Sequence, residues 1–191
     1  TGGVSPQSQA FSANVTGLTA GTNYYEQIQV VFYDDTVLNG AALLFATSTL
    51  QTATNGTVTG ISSTAATLTG TVDAKGSTLS SVKFCYDTTT AFTNCTANTV
   101  TLSGSWTTGS NSISTSLTGL SSNTTYYFKI LTVSNAGTVE SSYTSFTTLA
   151  VLSFDAQGGS SVPSLEFAAG GTVNLTSKTT SQTGYTFLGW F

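Results

Sequence analysis

The amino-acid sequence predicts an all-β protein assembled from sandwich-sized units. Thr, Val, Tyr and Phe dominate the chain, and clusters of Gly, Asn and Ser interrupt them at roughly ten-residue intervals, as turns interrupt short strands. Stretches such as 66–72 and 82–86 alternate in the manner of half-buried strands, and no window shows a convincing helical period. A long segment also occurs twice, about one hundred residues apart, which is the size of one β-sandwich domain.

The composition of the 191 residues excludes several classes of function. Only 6% of the residues are charged, and four Lys without any Arg cannot form the basic patch that a nucleic-acid backbone requires. The absence of His removes Ser–His and Cys–His pairs and any His-ligated metal. The longest apolar run, residues 41–46, is too short to cross a bilayer. We therefore expect no enzyme, no cofactor or metal site, no nucleic-acid partner and no membrane insertion.

The two cysteines, Cys85 and Cys95, are predicted to form a disulfide. Two thiols without further soft ligands make a poor zinc site, and their spacing is not that of a Cys-x-x-Cys redox motif. In an acidic chain that is about one third Ser and Thr, the pair indicates an oxidising compartment and hence a secreted or cell-surface location. The alternative is two unrelated thiols. Strand alternation places Phe84 and Tyr86 inward and Cys85 outward.

An internal repeat links residues 15–31 with residues 117–133, which read VTGLTAGTNYYEQIQVV and LTGLSSNTTYYFKILTV. The two copies lie 102 residues apart. Each copy is followed by a closing triplet, FAT beginning at Phe45 and FTT beginning at Phe146, now 101 residues apart. The same supersecondary unit is therefore expected at both places.

The repeated segment resembles the last three strands of a fibronectin type III domain. The residues that carry the resemblance are Leu18, Gly21, Thr22 and Tyr24 in the first copy and Leu120, Asn123, Thr124 and Tyr126 in the second. The resemblance implies a tyrosine corner in each copy, with the ring in the core above the leucine and the hydroxyl bonded to backbone at the bend. It further implies immunoglobulin-like sandwiches in tandem, with a complete domain at residues 51–149 and the C-terminal half of a domain at residues 1–50.

Residues 150–191 resemble the Listeria–Bacteroides repeat, also called the internalin-type B repeat. Three segments carry this resemblance: FDAQGG at 154–159, GGTV at 170–173 and GYTFLGWF at 184–191. Members of that family are small β-grasp-like modules of bacterial surface proteins, and they continue beyond the Gly-Trp-Phe segment. The resemblance therefore implies a third, incomplete module.

Glu26 is a candidate buried acid. In the repeat alignment it stands where the second copy has Phe128 on the inward face of a strand. A buried carboxylate needs a partner or takes up a proton. One interpretation is the core acid that promotes a Lys–Asn crosslink in some bacterial surface sandwiches; the other is an edge position or a protonated, hydrogen-bonded side chain.

Half a sandwich at residues 1–50 would expose an apolar face and an unpaired strand edge. The apolar groups expected on that face are Phe11 and the run at 43–45. Because the chain opens with TGG rather than Met, we expect a piece of a longer protein. The half-domain is then completed either by preceding polypeptide or by strands of a neighbouring subunit.

The sequence favours a structural role: a stalk, a spacer or a filament subunit of a secreted or cell-surface bacterial protein. Its partners would be neighbouring domains or neighbouring subunits. One alternative is an adhesin module that binds glycan or protein, for which Trp106 and Trp190 are the candidate stacking rings. A second alternative is the accessory region of a large extracellular enzyme. The fold alone does not choose among these roles.

Overall fold

The computed structural model describes residue 10 and residues 12–93, 95, 98–106 and 109–191. Within these ranges the chain forms β-strands, turns and extended segments, and no helix there is long and apolar enough to span a membrane. The predicted all-β class is confirmed. The chain divides into two compact units between Thr49 and Leu50.

The first unit is one long β-hairpin that is interrupted once along its length. Its strands are β1 (Asn23–Glu26), β2 (Gln29–Val31), β3 (Val37–Asn39) and β4 (Leu43–Ala46). β1 pairs antiparallel with β4, and β2 pairs antiparallel with β3. The Gly40 amide donates to the Ile28 carbonyl at 2.7 Å, which joins the two short ladders.

The second unit contains a two-layer sandwich. Its strands are β5 (Thr52–Thr59), β6 (Ala65–Asp73), β7 (Leu79–Asp87), β8 (Thr99–Leu102), β9 (Asn111–Thr118), β10 (Thr125–Ser134), β11 (Gly137–Glu140) and β12 (Thr144–Thr147). One sheet has the order β5-β6-β9, and the other has the order β11-β10-β7-β8, with β12 also pairing with β10. All neighbouring strands are antiparallel, as in fibronectin type III-like and other immunoglobulin-like sandwiches.

The core lies between these two sheets and consists of their inward-facing side chains. Burial alternates along β6 and β10, because successive residues of a strand point to opposite faces. The rings of Phe84 and Phe128 approach to 6.1 Å between centroids at its centre. Gly70 allows the sheets to close, since a Cβ there would lie 2.4 Å from Cδ1 of Ile130.

Residues 150–191 belong to the same compact unit as the sandwich. They form one antiparallel ladder, β13 (Ala150–Leu152) with β14 (Leu165–Phe167), and otherwise consist of turns and extended segments. An aromatic cluster organises the segment: the Trp190 ring lies 4.6 Å from Phe154 and 5.3 Å from Phe187. The Trp190 indole donates to the Lys178 carbonyl at 2.6 Å.

Candidate functional site

The repeated hairpin has the same strand register in both units. Tyr24 lies opposite Phe45 in the first unit. Tyr126 lies opposite Phe146 in the second. The two ring pairs stack at 5.9 Å and 5.7 Å between centroids. Five residues separate the paired Val31 and Val37, and four separate their counterparts Val133 and Thr138, which explains why the repeat offset falls from 102 to 101.

Both repeated tyrosines form corners through their hydroxyl groups. The Ser121 amide donates to the Tyr126 hydroxyl at 3.0 Å, and the Tyr126 ring is buried. The Thr19 amide donates to the Tyr24 hydroxyl at 2.9 Å and lowers the pKa of Tyr24, since the donor stabilises the phenolate.

The leucines that precede the two corners differ in burial. Leu120 is buried in the second unit, whereas Leu18 is only half-buried in the first, as is Tyr24. The first corner is therefore less buried than expected, because among the described residues of the first unit no second sheet packs over it.

A threonine at the end of each repeated hairpin closes the tyrosine corner of its own unit with hydrogen bonds. This role was not predicted from the sequence. The Thr148 hydroxyl donates to the Ser121 carbonyl at 2.7 Å and accepts from the Thr124 amide at 3.0 Å. Thr47 makes the equivalent bond to the Thr19 carbonyl at 2.6 Å. The signal that could have revealed these residues is the final Thr of the repeated FAT and FTT triplets.

The corner also explains the Gly or Asn of the motif. Gly21 and Asn123 occupy equivalent positions with φ of 64° and 50°. Gly adopts this left-handed conformation at little cost, and Asn is among the side chains that tolerate it best.

The predicted disulfide joins Cys85 on β7 to Cys95 in the segment before β8, with the two Cα atoms 5.2 Å apart. Cys85 is fully buried although it lies on the outward side of the strand that alternation predicted. It lies on the face opposite Phe84, but the segment that follows β7 covers it. In that segment the Phe92 ring is buried and lies 4.7 Å from the Lys129 ammonium. The disulfide therefore attaches this covering loop to the outer face of the sheet β11-β10-β7-β8.

Glu26, the candidate buried acid, is exposed in the structure. It lies at the end of β1 opposite Leu43 of β4. The buried-acid interpretation is therefore wrong, because among the described residues of the first unit no second sheet packs over this strand, whereas the counterpart Phe128 is 0% exposed. Neither a crosslink partner nor a buried proton site is formed around it in the described residues.

One side of the first hairpin is exposed, and we call it the uncovered face. On it, Tyr24 and Glu26 of β1 lie opposite Phe45 and Leu43 of β4. Val30 of β2 lies opposite Leu38 of β3, and Ile28, between β1 and β2, is counted with them. Leu43 is 61% exposed and Leu44, on the other side, is 58% exposed. A groove of about 790 Å³ runs beside Val15, Ile28 and Leu43. Phe11, which was expected on this face, lies outside the described residues.

The joint between the sandwich and residues 150–191 is made by hydrogen bonds. The Leu149 amide donates to the Ser62 carbonyl at 3.0 Å. From β14, the Glu166 carboxylate accepts the Ser63 amide at 3.1 Å and also the Ser63 hydroxyl. Ser63, in the turn between β5 and β6, is buried where it meets Glu166.

The two tryptophans take part in internal packing. Trp106 is partly buried against the sandwich core, and Gly104 lies next to its ring. Trp190 belongs to the aromatic cluster of residues 150–191. Among the described residues, no cluster of three or more His, Cys, Asp or Glu side chains could hold a metal ion.

Comparison with known proteins gives distant similarities to solved structures. No protein-family model matches the chain, and no curated protein does. A solved sensor domain of the anti-sigma factor RsgI4 from Pseudobacteroides cellulosolvens is 24% identical over 52% of this chain and 95% of its own, with a TM-score of 0.41. Chicken CNTN1 FN1-FN3 domains are 16% identical over 69% of this chain and 42% of theirs, with a TM-score of 0.38.

A DUF3823 family protein from Bacteroides uniformis is similarly remote: it is 10% identical over 67% of this chain and 75% of its own, with a TM-score of 0.39. Similarities at this level carry no argument about activity, ligand or location. The assignment of the sandwich rests on its strand order and pairing.

Replacing Tyr126 by Phe should lower the free energy of unfolding of the second unit by about 1–3 kcal/mol, because the Ser121 amide loses its acceptor in a part-buried site. Chemical denaturation followed by tyrosine and tryptophan fluorescence measures the change. Tyr143→Phe is the matched control, since the Tyr143 ring is 55% exposed. An unchanged midpoint for Tyr126→Phe would show that the corner hydrogen bond does not stabilise the fold.

Reducing the disulfide should destabilise the second unit by about 2–3 kcal/mol, because it frees the short loop between Cys85 and Cys95. Urea titrations with and without reductant measure this difference, and intact mass reports the oxidation state. The double variant Cys85→Ser/Cys95→Ser is the control, whose midpoint should not respond to reductant. Equal midpoints for the reduced and oxidised native chain would contradict a stabilising staple.

Proposed function

We propose that this chain is a structural section, a stiff spacer within a stalk or filament, of a secreted or cell-surface bacterial protein. The observation that carries the proposal is the joint between the sandwich and residues 150–191. A stiff spacer has to hold neighbouring modules in a fixed relative orientation. Modules connected only by a flexible linker move independently by default.

The covalent connection at the joint is short and attached on both sides. β12 ends at Thr147 and β13 begins at Ala150, so Thr148 and Leu149 alone connect them. Thr148 is buried and bonded to the corner, and the Leu149 amide is bonded to the Ser62 carbonyl. The connection therefore has little freedom to bend.

A second attachment lies away from the covalent connection. Glu166 reaches from β14 to the turn between β5 and β6, where its carboxylate accepts both donors of Ser63. Hydrogen bonds to a charged acceptor are stronger than neutral ones. Two separate points of attachment restrict rotation about the joint, which one alone would permit.

The location outside the cell is supported by the disulfide and by a composition rich in Ser and Thr and poor in charge. The repeated hairpin supports an array of sandwiches rather than a single domain. A non-catalytic role agrees with a chain that lacks His, Arg and Met.

The stiffness of the joint can be measured from residual dipolar couplings of backbone amides in the full chain. We expect one alignment tensor to fit both the sandwich and residues 150–191. Glu166→Ala should require two tensors and should accelerate hydrogen exchange at the Ser63 amide about tenfold or more, because the amide loses its charged acceptor.

Glu140→Ala is the matched control, because it removes an exposed ion pair with Lys129 on the surface of the sandwich and leaves the joint untouched. Its couplings should still fit one tensor. If the native chain already needs two tensors, the modules move independently and the spacer proposal fails.

A further inference from the structure

We propose that an aromatic cluster on the outer face of the sheet β11-β10-β7-β8 binds a neutral oligosaccharide whose hydroxyl groups are equatorial. The cluster consists of Phe92, Tyr127 and Tyr143, and the ion pair of Lys129 with Glu140 borders it. This binding activity is additional to the spacer role and does not depend on the stiffness of the joint.

Tyr143, between β11 and β12, is the exposed ring of the cluster. Among the described residues from 52 to 147, no other large hydrophobic side chain is as exposed, and the Tyr143 ring is 55% exposed. Its centroid lies 5.8 Å from that of Tyr127, with the rings at 85°, and 6.3 Å from that of Phe92. Single apolar side chains are common on protein surfaces, but an exposed ring held by two others presents a fixed aromatic surface.

The disulfide-bonded loop holds Phe92 in an unfavourable backbone conformation. Phe92 has φ of 49°, and bulky residues rarely adopt this left-handed conformation. The Cys95 amide donates to the Phe92 carbonyl at 3.2 Å, and Cys95 is itself bonded to Cys85. The Lys129 ammonium lies 4.7 Å from the Phe92 ring. Strained residues held by such contacts cluster at ligand-binding and catalytic sites, and here the strain positions a ring of the cluster.

Hydrogen-bonding groups surround the rings. Lys129 donates to Oε2 of Glu140 at 2.7 Å, whereas Oε1 of Glu140 has no hydrogen-bond partner among the described residues. The hydroxyl groups of Tyr127 and Tyr143 likewise form no hydrogen bond with any described residue. Ser145 is exposed opposite Tyr127 on the neighbouring strand. Because Lys129 and Glu140 neutralise each other, this surface favours a ligand without net charge.

An oligosaccharide with equatorial hydroxyl groups matches both the aromatic and the polar part of this surface. The axial C–H bonds of such a sugar form an apolar face, and its hydroxyl groups project from the edge of the ring. The C–H hydrogens carry a partial positive charge and pack favourably on the electron-rich face of an aromatic ring such as Tyr143. The surrounding hydroxyl groups then find acceptors and donors in Glu140 and the tyrosines. An apolar contact with a few placed polar groups is the usual composition of a small-molecule site.

Titration of the full chain with cellohexaose, a linear glucose oligomer with equatorial hydroxyl groups, tests the proposal. Backbone amide NMR spectra should show saturable shifts that are confined to the cluster and its ion pair. Tyr143→Ala should weaken binding at least about tenfold, because it removes the exposed stacking ring. Tyr143→Phe should weaken binding less than about threefold, since the ring remains. Glu140→Gln should weaken binding about threefold or more, because the acceptor loses its charge.

Tyr33→Ala is the matched control. Tyr33 is fully exposed in the turn between β2 and β3, outside the cluster, and its replacement should leave the affinity unchanged. Reducing the disulfide under conditions where the chain stays folded should weaken binding about threefold or more, because it releases the loop that positions Phe92. Thermal melting of each variant verifies that it is folded.

Three results would overturn the proposal. The absence of saturable shifts at millimolar cellohexaose would show that the cluster is internal packing only. Unchanged affinity of Tyr143→Ala, with Glu140→Gln also unchanged, would place the binding site elsewhere. Tighter binding of tetragalacturonate, an acidic oligosaccharide, than of cellohexaose would contradict a neutral ligand.

Discussion

The packing of one β-sheet onto another is the interaction on which the rest of the structure depends. The repeated hairpin forms the same backbone pairs and the same stacked rings in both units, so strand pairing alone determines its register. Burial does not follow from pairing. Ile130 is withdrawn from solvent because a second sheet lies over it, and Ile28 remains half exposed because no second sheet covers it among the described residues.

The polar corner behaves differently, because its hydrogen bonds are local. Tyr24 and Tyr126 each accept an amide proton from a residue five positions earlier in the chain, and a threonine from the following strand closes each corner. These bonds form whether or not the second sheet is present. They are expected to contribute more in the second unit, where Tyr126 and Thr148 are shielded from water.

The sandwich is also tied to its surroundings at two places. The disulfide holds the loop that carries Phe92 against Lys129 on the outer sheet. At one end, Glu166 reaches the turn at Ser63 and supplements a two-residue covalent connection. The disulfide and the Glu166 hydrogen bonds therefore each attach one further segment of the chain to the sandwich.

The sequence by itself determined the all-β class, the position of the repeat and the pairing of the two cysteines, because alternation, turn residues and spacing are local patterns. The tyrosine corners followed from a resemblance carried by a short motif. Only the tertiary structure decided that Glu26 is exposed, that Cys85 is covered and that Glu166 bonds Ser63 across 103 residues. Such contacts join residues that lie far apart in the chain, and they depend on which sheet or loop lies opposite, which no local pattern encodes.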